Sequence, residues 1–293
     1  MDANPERFPS PLRYPGGKSA IANFFKHVLL QNSLEYAHYV EAYAGGAGVA
    51  WSLLLGGYVN KVLINDIDRS ITAFWKAVFK HTDELCKLIS DTPITLEQRT
   101  RQKSIQADAK NQTDLDLGFS TFFLNRVNRS GIITGGVIGG NNQRGRWKID
   151  ARYKKDELIR KITTLAKYSN KISVFNEDAV MFLKRIAKTL PKNSFVYLDP
   201  PYFVKGAGLY INHYTSDDHT RVAQFVSGIK KVPWVISYDA VPEITRLYEP
   251  YTKIRYQLRH SAYQTHRGSE IMIFSNNLKV PKIADPSRAP VPN

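Results

Sequence analysis

Two hydrophobic periods alternate along this chain. Short, wholly apolar runs read as buried strands, and they are separated by stretches with apolar positions three and four apart, which read as helices. A strand is predicted over 39–43, followed by the small-residue loop Ala44-Gly45-Gly46-Ala47-Gly48 and a helix over 49–55 that Gly56-Gly57 ends. A second strand covers 62–64 and closes on Asn65-Asp66; a helix over 69–80 follows, with Ile71, Phe74, Trp75 and Val78 on one face.

The alternation then stops. Residues 82–130 read as polar and helical, and 131–149 as a glycine-rich, basic, irregular hairpin. It resumes with a helix near 154–168, a strand over 172–175, a helix over 179–188 and a strand ending at Leu198. A helix near 217–229, a strand over 234–237, a helix near 241–248 and closing strands around 253–260 and 270–275 complete the pattern. The expected fold class is α/β: a Rossmann-like, mostly parallel sheet flanked by helices, with a closing antiparallel hairpin. Residues 1–81 and 154–280 would form the α/β domain and 82–153 an insertion in it, most simply a substrate-recognition subdomain. The proline-rich stretch 281–293 reads as a flexible tail.

Charge adds a partner. The 293 residues carry 41 Lys and Arg against 26 Asp and Glu, a net charge of +15. An excess of this size is the electrostatic footprint of a nucleic acid. It is concentrated in Arg126, Arg129, Arg144, Arg146, Lys148, Arg152, Lys154 and Lys155, with only Asp150 opposing them and with Trp147 and Tyr153 interleaved. The single cysteine, Cys86, excludes a disulfide framework. No apolar run is long enough to cross a bilayer, and the opening MDANPERFPS lacks a signal-peptide core, so a cytoplasmic protein is expected.

Asp199-Pro200-Pro201-Tyr202 carries the chemistry. It follows the apolar run Phe195-Val196-Tyr197-Leu198, at the carboxyl end of a strand, where open α/β sheets bind ligands. Two prolines remove two backbone donors and stiffen a turn that presents carbonyl acceptors. A carboxylate, rigid carbonyls and an aromatic face suit a flat ring bearing an exocyclic amine.

Gly45, Gly46 and Gly48 let the backbone approach a ligand in front of a helix N-terminus. Asp66 follows about 20 residues on, the spacing at which an acidic side chain meets ribose hydroxyls. Three residues after Gly48 stands Trp51, too large for the close packing of a dinucleotide fingerprint. An adenosine ligand without a pyrophosphate fits better, which points to S-adenosylmethionine. Lys18, in Arg13-Tyr14-Pro15-Gly16-Gly17-Lys18, offers a cation for that ligand's carboxylate. Asp178 offers an acceptor for its adenine amine, and equally a cap for the helix that begins at Ala179. No metal site is expected.

Tyr-Pro-Gly-Gly-Lys, Glu-Ala-Tyr-Ala-Gly-Gly-Ala-Gly, Asn-Asp-Ile-Asp, Asn-Glu-Asp-Ala and Asp-Pro-Pro-Tyr follow one another at spacings that resemble the Dam-like family of DNA adenine-N6 methyltransferases. The similarity runs over residues 10–276. It includes Leu124-Asn125-Arg126 with Gly131, Arg144-Gly145, Arg152-Tyr153-Lys154-Lys155, Leu209-Tyr210-Ile211-Asn212-His213-Tyr214 and Glu270-Ile271-Met272-Ile273-Phe274-Ser275-Asn276. The resemblance implies a class I methyltransferase sheet, S-adenosylmethionine as methyl donor and double-stranded DNA as partner. It implies cofactor contacts from Tyr14, Lys18, Tyr43, Asp66, Asp178 and Asp199. Asp199 and the Pro200 carbonyl would hold the target amine while Tyr202 stacks on a flipped adenine. Relatives that read GATC carry Tyr-Asn before the glycine matched by Gly131 and an arginine soon after; this chain has Arg129-Ser130 and Thr134, which speaks against GATC.

Two alternatives stand beside this reading: the same transfer to a cytosine-N4 amine, and a DNA-binding relative that does not turn over. Cys86 follows Leu85 rather than a proline, which excludes the Pro-Cys nucleophile of carbon-5 cytosine chemistry.

Overall fold

The computed structural model describes residues 10–13, 17–203, 214–260 and 266–292. Tyr14 and residues 209–213 of the family-like segment lie outside them. A seven-stranded sheet has the order β3-β2-β1-β4-β5-β7-β6. Strands β1 (Ala37–Glu41), β2 (Val59–Asn65), β3 (Ile172–Phe175), β4 (Ser194–Leu198) and β5 (Trp234–Asp239) run parallel. β6 (Thr252–His260) and β7 (His266–Phe274) form the antiparallel hairpin, with β7 paired antiparallel to β5. This is the expected fold class.

Successive side chains of the central strands point to opposite faces. Tyr39, Phe195 and Val235 enter one apolar core, whereas Val40, Val196 and Ile236 enter the other. The first core is covered by α1 (Ala22–Gln31), α2 (Gly48–Leu55) and α3 (Arg69–Lys80). The second is covered by α8 (Ala179–Ile186), α9 (Ser216–Gly228) and α10 (Pro242–Leu247). Strand order reverses at β1, so the crevice between the carboxyl ends of β1 and β4 is where a ligand fits.

Between α3 and α7 (Lys155–Ala166) come α4 (Thr82–Asp91), α5 (Leu96–Ala107) and α6 (Asp114–Val127). The insertion is no separate core. Phe122 of α6 stacks on Phe74 of α3 at 5.8 Å, and Leu85 and Ile89 of α4 join the first core. A Cβ on Gly118 would stand 2.7 Å from the Ala73 carbonyl, so α6 approaches α3 closely because that residue is glycine.

Two expectations are corrected. Residues 131–149 form turns rather than a hairpin: among the described residues the segment's antiparallel pairing is one isolated bridge, Asn128 with Val137. The described part of the stretch from Pro281 docks on α1. The backbone carbonyls of Ala289 and Pro290 meet Asn23 Nδ2 at 3.5 Å and His27 Nε2 at 3.0 Å. Among the described residues no helix is long and apolar enough to cross a membrane.

Candidate active site

Every parallel strand delivers a polar residue at or just beyond its carboxyl end. β1 gives Glu41 and Tyr43, β2 gives Asp66, β3 gives Asp178, β4 gives Asp199 and β5 gives Asp239. The register of β5 with β7 sets Glu270 opposite Asp239, on the same edge. A cavity of about 220 Å³ opens there, lined by Lys18, Glu41, Gly46, Gly48, Asp66 and Asp199, among others.

The glycine loop is shaped by its neighbours. Asp66 accepts from Gly45 N at 2.8 Å with one oxygen and from Asp68 N at 2.9 Å with the other. Burial still pushes its carboxyl up to about 6, against those backbone donors. Gly48 opens α2, and a Cβ there would stand 2.2 Å from Ser19 Oγ, so the loop can close on the chain after Lys18. Trp51 lies buried against Trp75 at 4.8 Å, and Trp75 Nε1 donates to the Gly45 carbonyl at 2.9 Å. The large residue that disfavours a dinucleotide thus props the loop from behind.

The second half of the site is a chain of buried polar groups. Lys18 Nζ lies 2.8 Å from Asp199 Oδ1 and 3.0 Å from Oδ2, and donates to the Tyr202 hydroxyl at 3.2 Å. Tyr202 donates to Glu270 Oε1 at 2.6 Å, and Glu270 Oε2 lies 3.8 Å from Lys18 Nζ. Ser237 Oγ donates to Asp199 Oδ1 at 2.6 Å and is itself 2.7 Å from the Tyr197 hydroxyl. Burial alone would pull the Lys18 ammonium down; Asp199, Tyr202 and Glu270 outweigh it and hold the ammonium well above its ordinary value. Phe203 N donates to Asp239 Oδ1 at 2.9 Å and anchors the turn after Pro-Pro-Tyr.

Most of the residues expected at the cofactor converge. Gly46, Gly48, Asp66, Tyr43, Lys18 and Asp199 line the cavity, and Gly45 lies beneath Asp66. Lys18, expected to meet a ligand carboxylate, is paired with Asp199 in the free chain. Asp178 is not among the lining residues: one oxygen caps α8 through Met181 N and the other meets Arg221 at 3.1 Å. Pro201 lines the cavity and Pro200 is buried behind it. Tyr202, expected as a stacking face, is buried with its phenol fixed.

The basic residues divide. Arg129, Arg144, Arg146, Lys148, Arg152 and Lys154 are exposed, and Trp147 is exposed with the Arg146 and Arg152 guanidiniums 5.4 and 5.6 Å from its ring centroid. Arg126 and Lys155 are corrected. Arg126 is buried, donates to the Pro11 carbonyl, and burial with Arg13 nearby pulls its guanidinium down to about 9. Lys155 donates to the carbonyls of Ser90 and Thr92, tying α7 to the end of α4. Tyr153 is also inward, edge-on to Phe122 and Phe123 at 5.5 Å.

The buried carboxylates Glu41 and Glu270 have no place in the sequence reading of the site. Glu41 accepts from Tyr39 Oη at 3.1 Å and from Ala50 N at 3.3 Å, and burial pushes its carboxyl up to about 8. Their signal in the sequence is a lone acid inside an apolar strand, which a buried group tolerates only with partners. Among the described residues no group of three or more His, Cys, Asp or Glu is arranged to hold a metal ion.

S-adenosylmethionine fits this donor set. Asp66, a half-buried acid on the cavity wall, suits a ribose diol, a glycine cradle admits close backbone approach, and Lys18 lines the same cavity.

The family model and a curated relative agree with the sequence resemblance. A model of the D12 class N6 adenine-specific DNA methyltransferases matches residues 14–262. The Type II methyltransferase M.MjaIII of Methanocaldococcus jannaschii is 25% identical over 240 residues, 75% of this chain and 80% of that one. The solved rRNA methyltransferase aviRa of Streptomyces viridochromogenes superposes with a TM-score of 0.40 and 9% identity, over 94% of this chain and 92% of that one. A SAM-dependent methyltransferase of Agrobacterium tumefaciens does so with a TM-score of 0.40 and 9% identity, over 86% and 62%. With the family model spanning both the glycine loop and Asp-Pro-Pro-Tyr, the chain belongs to the D12 class of N6 adenine-specific DNA methyltransferases.

Proposed function

We propose that this chain methylates the N6 amine of an adenine swung out of duplex DNA at a short specific sequence, and that Asp199 holds that amine. Family membership fixes the reaction as adenine-N6 DNA methylation, with S-adenosylmethionine supplying an electrophilic methyl group. The observation that carries the assignment to Asp199 is its position. The carboxylate borders the cofactor cavity and is held from behind by Lys18 and Ser237.

The amine of adenine is a weak nucleophile because its lone pair is delocalised into the ring. Asp199 and the Pro200 carbonyl would accept its two hydrogens and draw the nitrogen toward a tetrahedral shape, exposing the lone pair. The Pro-Pro turn cannot rotate those acceptors away. The chain's contribution is then alignment and fixed electrostatics rather than a covalent nucleophile. Extrusion follows from reach, since the N6 atom inside a stacked duplex is inaccessible to a site recessed at a sheet edge. Tyr202 would form the floor of the pocket that receives the base, where stacking on an aromatic ring contributes about 1–3 kcal/mol.

The exposed arginines of 129–152 support duplex binding through phosphates. The Type II name of the archaeal relative supports a site-specific activity of the restriction-modification kind. A monomer working in the cytoplasm fits this reading.

The test is to express the protein in cells without adenine methylation and map methylated positions across their DNA by single-molecule sequencing. Methyladenine confined to one short sequence supports the proposal. Methyladenine scattered without sequence preference, or confined to single-stranded DNA, overturns it.

A further inference from the structure

We infer that Glu270 is a positioning residue for methyl transfer: by holding the Tyr202 phenol and facing Lys18, it fixes both ends of Asp-Pro-Pro-Tyr and supplies the second carboxylate of the site. This rests on the functional reading above.

Four residues from separate places in the chain form one continuous path. Asp199 at the end of β4 pairs with Lys18; Lys18 donates to Tyr202; Tyr202 donates to Glu270 of β7; and Glu270 Oε2 faces Lys18 again at 3.8 Å. Glu270 is 1% exposed, so it is not a surface acid that drifted near the site. A buried carboxylate is expensive to keep, and a core position inside β7 would ordinarily take an apolar residue. Its register opposite Asp239 places it on the edge where the other site residues gather.

Two consequences follow from chemistry. The phenol of Tyr202 accepts from Lys18 and donates to Glu270, so the hydroxyl end of the ring is held in place at both lone pair and proton. Glu270 adds a second acid beside the Lys18–Asp199 pair, so two carboxyl groups face one ammonium behind the target amine. Methyl transfer moves positive charge from the donor onto that amine, and a fixed anion behind it stabilises the transition state more than the ground state.

The test uses Glu270→Gln, an isosteric change that keeps an oxygen acceptor for Tyr202 but removes the charge, with Tyr202→Phe as the second variant. The readouts are kcat, KM for DNA, the affinity for S-adenosylmethionine and the pH dependence of kcat. Glu270→Gln is expected to lower kcat about tenfold, the effect of losing one charged partner, with KM and cofactor affinity within about twofold. Because Glu270 pushes the Asp199 carboxyl up, its neutralisation should also move the acid limb of kcat to lower pH, while Tyr202→Phe leaves that limb in place. An unchanged kcat and an unmoved limb overturn the inference. A wild-type protein that makes no methyladenine refutes the functional reading instead. In that case urea unfolding of both single variants and the double decides whether Glu270 holds Tyr202: non-additive losses uphold the link, and additive losses overturn it.

Discussion

Lys18, buried, and Asp199, part-exposed on the cavity wall, form an ion pair with Nζ 2.8 Å from Oδ1, although they lie 181 positions apart. Burial raises the Asp199 carboxyl, and the Lys18 ammonium opposes that rise.

Lys18→Met should therefore raise the Asp199 pKa, since Lys18 is the largest influence pulling that carboxyl down. The ionised form is then reached at higher pH. We expect at least a hundredfold loss of methylation at neutral pH, with the rate climbing as pH rises. Initial rates across pH at saturating cofactor check this; a flat profile parallel to that of the wild type contradicts it.

Asp66 should make cofactor binding pH-dependent. Its carboxyl sits at about 6, and only the ionised form accepts fully from ribose hydroxyls. The Kd for S-adenosylmethionine should rise as pH falls below about 6, by up to about tenfold per pH unit. Calorimetric titration should show this in the wild type and a weak, flat dependence in Asp66→Asn.

Glu41 should make the free protein less stable as pH rises. Its carboxyl is raised from 4.5 to about 8, so the folded state holds a proton that the unfolded chain releases. The stability this confers is complete below the unfolded value and is lost as pH rises through about 8. Urea unfolding should show Glu41→Gln gaining on the wild type by a few kcal/mol toward pH 8 and above, and little near pH 4.5.

Gly131 should be intolerant of a side chain. Its φ is +78°, and a Cβ would stand 2.3 Å from the Arg13 carbonyl. Asn125 joins the same knot, donating to the carbonyls of Arg13 and Gly131 at 2.7 Å. Gly131→Ala should cost about 1–3 kcal/mol in stability. It should also weaken cofactor binding, because the knot anchors the segment that leads to Lys18; urea unfolding and cofactor titration measure the two effects.

The exposed and buried arginines should separate experimentally. Arg144→Gln and Arg146→Gln should each reduce the slope of log affinity against log salt by about one if each meets a phosphate. Arg126→Met should lower the melting temperature, because that guanidinium is buried on the Pro11 carbonyl. Duplex binding at several salt concentrations, with thermal melts, distinguishes them.

Much of this was legible in the chain because local periodicity and strand-end chemistry coincide. The strand over 172–175 and the helix over 69–80 are found where apolar spacing predicts them, and Asp66 and Asp199 stand at strand ends as their flanking runs imply. What charge counting missed is burial. Arg126 belongs to a helix buried from Leu117 to Val127, and the apolar residues Phe119, Phe122, Phe123, Leu124 and Val127 beside it were the available signal. Glu41 and Glu270 were hidden for a different reason. Their roles depend on which strands become neighbours, and no spacing along the chain encodes that β7 inserts beside β5. The stretch from Pro281 looked loose because prolines cannot form ladders, yet the carbonyls of Ala289 and Pro290 meet side chains of α1.

The central claim is that Asp199 holds the adenine amine during transfer. The most direct measurement incubates wild type and Asp199→Ala with unmethylated duplex DNA and S-adenosylmethionine, digests the DNA and identifies methylated nucleosides by mass spectrometry. We predict N6-methyladenine from the wild type and its loss in a folded Asp199→Ala that still binds duplex DNA. Methyladenine formed by the variant at a comparable rate, or methylcytosine from the wild type, would contradict it.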